Sequence, residues 1–150
     1  MIAYHAEFQV GWGDLDANGH MRNTAFLDMA ATTRMRFFAE HGFPIESFAQ
    51  LRIGPVVRKD EVTYFKEFKL LEGIKVSFEL GGLSSDASRM KLCNRFYKSD
   101  GRLAAEVMTT GGWMDLKARS LIAPPEPLAN LLREMARTEG FEELATSLKS

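Results

Sequence analysis

Asp14, Asp16, Asn18 and His20 alternate along one short stretch, Trp-Gly-Asp-Leu-Asp-Ala-Asn-Gly-His-Met-Arg-Asn-Thr-Ala-Phe-Leu at residues 12 to 27. No other part of the chain is as dense in chemically useful side chains. A carboxylate can take a proton or attack a carbonyl carbon, and an amide can orient either partner. An imidazole can hold or release a proton near neutral pH. A long apolar helical pattern begins near Asn23 or Thr24. The cluster therefore precedes a helix N-terminus, where free backbone N–H groups and the helix dipole favour negative charge. Carboxylate, histidine and anion-stabilising helix end together point to hydrolysis of an acyl group. The plainer alternative is an ordinary turn and cap, since Asn18-Gly19 is a common turn dipeptide and Asp or Asn before a helix is commonly its cap.

The elements that must position this loop can be read on either side of it. Residues 3 to 12 alternate as a strand, with Phe8, Val10 and Trp12 on one face. From Thr24 to His41 the period becomes helical: Phe26, Leu27, Ala30, Ala31, Phe37 and Phe38 share an apolar face, with Asp28, Thr32, Arg36 and Glu40 mostly opposite. Gly42 ends that helix and Pro44 prevents its resumption. Arg34 intrudes near the apolar face and has to snorkel or find an acid. Residues 44 to 51 suit a short helical turn. Strands follow from Ile53 to about Phe68, over Lys75–Leu80, over Arg89–Lys98 and from Arg102 to about Leu116. Ser99-Asp100-Gly101 marks a tight turn, and Gly111-Gly112 a bulge or bend. Beyond the proline-rich break at 123–127, residues 128 to 137 read as a helix and 141 to 148 as a second, frayed one. Strand, long helix, then four strands is an α+β pattern in which the helix must cover one face of an antiparallel sheet.

The totals bound the class. A chain of 150 residues reads as one domain with a real core and a helical tail from about 125 to 150. A formal net charge of -1 argues against a nucleic-acid partner, which would demand a basic surplus. Cys93 is the only cysteine, so no intrachain disulfide or cysteine-based metal site can form, and a reducing cytoplasm is the default expectation. No signal-peptide pattern opens the chain, and no apolar run is long enough to span a membrane.

The run Asp-Leu-Asp-x-Asn-Gly-His-Met-x-Asn at residues 14 to 23 resembles the signature of the hotdog-fold acyl thioesterases. It is similar to that of the 4-hydroxybenzoyl-CoA thioesterase family, and closer still to the plant acyl-ACP thioesterases. The resemblance is tight over residues 8 to 43 and runs in order through about residue 122. It implies a five-stranded antiparallel sheet wrapped around one long central helix. In the first family the second Asp of the pair is the catalytic carboxylate, which here is Asp16. In the plant enzymes the Asp-x-Asn-x-His pattern supplies catalytic residues, which fall on Asp16, Asn18 and His20. A further acid on the strand after the helix is matched best by Glu67, with Glu61 as the alternative. His20-Met21 departs from the apolar-aromatic pair of the bacterial pattern. The resemblance also implies a homodimer or homotetramer and an acyl-CoA or acyl-carrier-protein substrate, with no cofactor.

For such a reaction Asp16 would activate water or attack the thioester carbon. Helix N-terminal amides between His20 and Thr24, with Asn23 and Thr24 contacting substrate, would hold the oxyanion. Phe26, Phe37, Phe38 and Trp113 are candidates for an acyl channel. Arg58, Lys59, Lys117 and Arg119 are candidates for CoA phosphates. Two rivals stand beside it: a hydratase or dehydratase of acyl thioesters, which Asp16 and His20 would also suit, and a silent acyl-thioester-binding module, against which the presence of Asp16 argues.

Overall fold

The computed structural model describes residues 1–148. Strand β1 (Tyr4–Gln9) passes through a 3-10 turn at Trp12–Asp14 into helix α1 (Asn23–Glu40). Then come α2 (Ile45–Leu51), β2 (Ile53–Tyr64), β3 (Gly73–Ser84), β4 (Arg89–Lys98), β5 (Leu103–Asp115), β6 (Ser120–Ile122), α3 (Glu126–Glu134) and β7 (Arg137–Leu144). The main sheet order is β1-β3-β4-β5-β2, antiparallel throughout. Strand β6 adds to β5, and β7 runs parallel to β3. This is an α+β hotdog arrangement, with α1 (18 residues) against the inner face of a curled sheet.

Two buried clusters hold α1 in place. Its first half sets Phe26, Met29 and Ala30 against Phe68, Val76, Phe96 and Val107. Its second half sets Phe37 and Phe38 against Phe48, Phe78 and Trp113. Phe48 stacks on Trp113 with ring centroids 5.9 Å apart. The buried stripe is rotated from the expected one: Met29 and Thr33 are inside, while Leu27 and Ala31 are half-buried. Thr33 tolerates burial because its hydroxyl donates to the Met29 carbonyl at 2.8 Å.

Three expected elements differ. Trp12 is not on a strand but in the 3-10 turn, 81% exposed. Strand β2 stops at Tyr64 rather than Phe68. Residues 141–148 are not a frayed helix: residues up to Leu144 belong to β7. The cause is the edge of β3, which β1 covers only as far as Phe78. The backbone beyond it needs hydrogen-bond partners, and Leu80–Ser84 finds them in β7. Gly82 permits the approach, since a Cβ there would sit 3.0 Å from the Glu142 carbonyl oxygen. The bulge signalled by Gly111-Gly112 falls on the facing strand, between Val57 and Lys59 of β2. A Cβ on Gly111 would lie 2.1 Å from the Val56 carbonyl oxygen, so only glycine lets β2 come this close.

Helix α1 packs on β1, β3 and β5. The inward row of β2 is left largely open, with Asp60 and Tyr64 exposed and Val62 half-buried. Among the described residues no helix is long and apolar enough to cross a membrane.

Asp86 ties the chain end to the β3–β4 hairpin, accepting from the hydroxyls of Ser84, Ser88 and Thr146 and from the Ser88 amide. Burial opposes ionisation of Asp86, but those bonds outweigh it and hold the carboxyl well below the usual carboxylate range. A lowered folded-state value gives stability that is complete above about pH 4 and is lost as pH falls toward the folded value. Asp86→Ala should therefore lower urea stability at pH 7 by about 1–2 kcal/mol. The gap between variant and wild type should narrow in acid. Cys93 is fully buried, and burial first, then the Glu106 charge, pushes its thiol up to about 12. The native protein should stay silent to a thiol-reactive dye until denatured.

Candidate active site

Asp16 closes its loop on itself. Its N–H donates to the His20 carbonyl at 2.8 Å, and its own carbonyl accepts the Gly19 N–H at 3.1 Å. Its Oδ1 accepts the amides of Asn18 at 2.9 Å and His20 at 3.2 Å. Gly19 makes the reversal at φ +77°, a left-handed conformation natural to glycine. One carboxylate oxygen is thus spoken for by the loop. The other, Oδ2, accepts no hydrogen bond among the described residues, and the side chain is exposed.

The loop is stitched to the segment after β2. The Met21 amide donates to the Phe68 carbonyl at 2.9 Å, and His20 pairs with Lys69 as an isolated bridge. This brings His20 Nε2 to 3.1 Å from Glu67 Oε2, with side-chain exposures of 32% and 68%. Lys98, at the end of β4, holds that segment from behind. Its Nζ donates to the Glu67 carbonyl at 2.6 Å, reaches Glu72 at 2.9 Å, and lies 4.7 Å from the Phe68 ring centroid. Nothing in the sequence marked Lys98, because its partners lie across the β3–β4 register. Glu61, the alternative acid, lies on the opposite face of β2 from the inward row, with Lys59 at 3.7 Å.

The start of α1 is uncapped. Arg22 at the N-cap makes no side-chain capping bond. The amides of Met21 and Arg22 are taken by Phe68 and Asp14, and that of Ala25 by the Arg22 carbonyl. His20 spends its own amide on Asp16. Only the Asn23 and Thr24 amides remain without a protein acceptor among the described residues. The Thr24 hydroxyl accepts from Arg22 Nη1 at 2.7 Å.

A cleft of about 430 Å³ collects these groups: Asp16, Asn18, His20, Asn23 and Glu67 line it with Phe26, Tyr64 and Lys66. Phe26 and Tyr64 meet edge to face, centroids 5.2 Å apart. Lys66 is a cation at the cleft that sequence reasoning passed over, being a lone lysine just past a strand end. Phe37, Phe38 and Trp113 are buried in the other core cluster and are not cleft walls. Arg58 and Lys59 sit mid-strand at the β2 bulge rather than near a strand end, and Lys117 and Arg119 follow β5. None of these four cations lines the cleft.

Residues 10–132 match the profile of the thioesterase-like superfamily. The chain belongs to that superfamily. It is a thioester hydrolase. No curated protein matches the sequence. Among solved structures, a Staphylococcus aureus protein in complex with CoA superposes with a TM-score of 0.82 at 20% identity, covering 91% of this chain and 87% of that one. A 1,4-dihydroxy-2-naphthoyl-CoA thioesterase from Synechocystis gives 0.79 at 15% identity, over 88% and 96%. A gentisyl-coenzyme A thioesterase gives 0.75 at 19% identity, over 87% and 99%. At these identities the structural likeness establishes the hotdog fold.

The His20–Glu67 contact is too exposed to matter much to folding. Glu67→Ala should change the unfolding free energy by less than about 1 kcal/mol in a denaturant titration. Any loss of activity in that variant then reports on the site.

Proposed function

We propose that this thioester hydrolase acts on acyl-CoA, with Asp16 as the general base. The observation that carries the reading is the division of labour within one carboxylate: Oδ1 is fixed by two backbone amides, while Oδ2 is free on an exposed side chain at the cleft. Oδ2 takes a proton from a water molecule, whose oxygen attacks the thioester carbon. The carbonyl oxygen gains charge and accepts hydrogen bonds from the open Asn23 and Thr24 amides at the α1 N-terminus. The C–S bond then breaks and the thiolate leaves, to be protonated from solvent or from Asp16. Asn18 orients the carboxylate or the water. His20 acts as a positioning residue whose ring Glu67 holds at 3.1 Å. CoA as the thiol portion is supported by the CoA-bound relative and the two named CoA thioesterases of the same fold.

We further infer a homodimer through β2. Its outer edge has no strand partner among the described residues, and Val57, Tyr64 and Phe65 along it are 52%, 50% and 57% exposed. Antiparallel pairing of two copies of β2 would set the beginning of one strand beside the end of the other. In that pairing Arg58 and Lys59, mid-strand, would stay near the two-fold axis and away from the cleft, which leaves Lys66 as the cation at hand for CoA phosphates.

Thiol release from short, long and aromatic acyl-CoAs tests the reaction. Asp16→Asn should cut kcat/KM by at least about a hundredfold, the scale of a lost general base. A rate that survives this change would move the chemistry to His20 and Glu67. Disappearance of a 2-enoyl thioester without thiol release would make the protein a hydratase. A single turnover in ¹⁸O-water should label the product acid and leave Asp16 unlabelled; label in Asp16 would make it a nucleophile instead.

A further inference from the structure

Phe26 belongs both to the wall of the Asp16 cleft and to the buried core beneath it. It is 3% exposed, and three aromatic rings meet it: Tyr64 and Phe96 with centroids at 5.2 Å, and Phe68 at 6.1 Å. Phe68 and Phe96 are fully buried, as are Ala30, Val76 and Val107 of the same cluster. A core packed to this density does not admit an acyl chain without moving side chains. The four rings therefore close the inner end of the cleft.

Two local features set the depth of that closure. Side chains on a helix lean toward its N-terminus, so the Phe26 ring covers the turn that begins at Asn23. Asn23 and Phe26 are three residues apart, which is about 5 Å along the helix axis. On the other side, Tyr64 is the last residue of β2 and ends its inward row. The chain turns immediately after it, with the amides of Phe65 and Lys66 both donating to the Ala104 carbonyl at 2.8 and 3.0 Å. Phe65, Lys66 and Glu67 then run along the cleft, while the Tyr64 ring meets Phe26 edge to face. Helix wall and strand wall thus touch about one helical turn from the open Asn23 amide.

We infer that the Phe26–Tyr64 contact limits the acyl group to one that ends within about 5 Å of the thioester carbon, a short aliphatic chain or a single ring. A longer chain would have to part these rings, and Phe26 has no space to retreat into because Phe68 and Phe96 back it. The only other course is outward past Tyr64, which leaves the added methylenes in water and gains nothing from burial. Phe26 and Tyr64 therefore determine specificity and take no part in proton transfer. This length limit rests on the acyl-CoA thioesterase reading.

The test compares kcat/KM for straight-chain acyl-CoAs from acetyl to decanoyl, with benzoyl-CoA beside them. Butanoyl- and benzoyl-CoA should each exceed decanoyl-CoA at least about tenfold, the lower end for a misfitting methylene. Tyr64→Ala removes the strand-side ring and should bring the butanoyl-to-decanoyl ratio close to one. Phe26→Leu should move the ratio the same way from the helix side. Tyr64 is exposed, so its variant gives the answer even where the Phe26 variant fails to fold. A purely structural role for the rings would lower the denaturation midpoint and slow all chain lengths alike, leaving the ratio intact. That result, or a wild-type rate that stays level or rises from butanoyl to decanoyl, overturns the inference. If no acyl-CoA is hydrolysed, the thioesterase reading fails by itself. Calorimetry of the same acyl-CoAs on the wild-type protein then decides the limit: decanoyl-CoA should bind no tighter than butanoyl-CoA, and tighter binding overturns it.

Discussion

Burial of one stripe of α1 against the inner face of the sheet is the constraint on which the rest of the molecule depends. Phe26, Met29, Ala30, Phe37 and Phe38 all go from water to contact with the sheet. Each large side chain so transferred contributes about 1.5–3 kcal/mol before the entropy of ordering is counted. No other helix has comparable reach: α2 and α3 are about two to two and a half turns long and cover the sheet's margin. Because the helix is locked along its length, its N-terminus cannot drift. The open Asn23 and Thr24 amides are therefore held in place, as the oxyanion role proposed for them requires.

The loop before α1 is rigid for a different reason. It has little apolar content to bury, and it is held by hydrogen bonds that run in a small circle: Asp16 to His20, Gly19 to Asp16, and two amides onto one carboxylate oxygen. Its outside anchor is the strand-like pairing with residues 68 and 69. Lys98 secures that anchor from the far side of β4. The loop and the groups that anchor it thus come from three separate parts of the chain, and only the sheet brings them together.

The open inward row of β2 belongs to the same design. A helix placed squarely over the sheet would bury more surface but leave no room beside the Asp16 cleft. The helix favours β1, β3 and β5 instead, and on the β2 side Arg34, Thr109 and Asp60 form a hydrogen-bonded chain. The same strand exposes the edge on which the proposed second copy would pair.

What the sequence by itself determined is local. The period of the apolar residues marked α1 and most strands, because a buried face imposes its spacing on the chain. Asp16, Asn18 and His20 were legible because they are neighbours in one loop whose Asn-Gly turn and following helix are short-range signals. Tertiary structure decided everything that depends on register. It chose Glu67 rather than Glu61 as the acid beside His20, since alternation along β2 turns Glu61 to the other face. It moved Phe37, Phe38 and Trp113 from candidate channel to core, and gave Arg34 partners on β4 and β5. It made a strand of residues 137–144, whose own preferences are weak, because the exposed edge of β3 needed hydrogen-bond partners. A sequence carries its short-range preferences in full, but which strand edge is left open, and what lies across it, exists only once the sheet has closed.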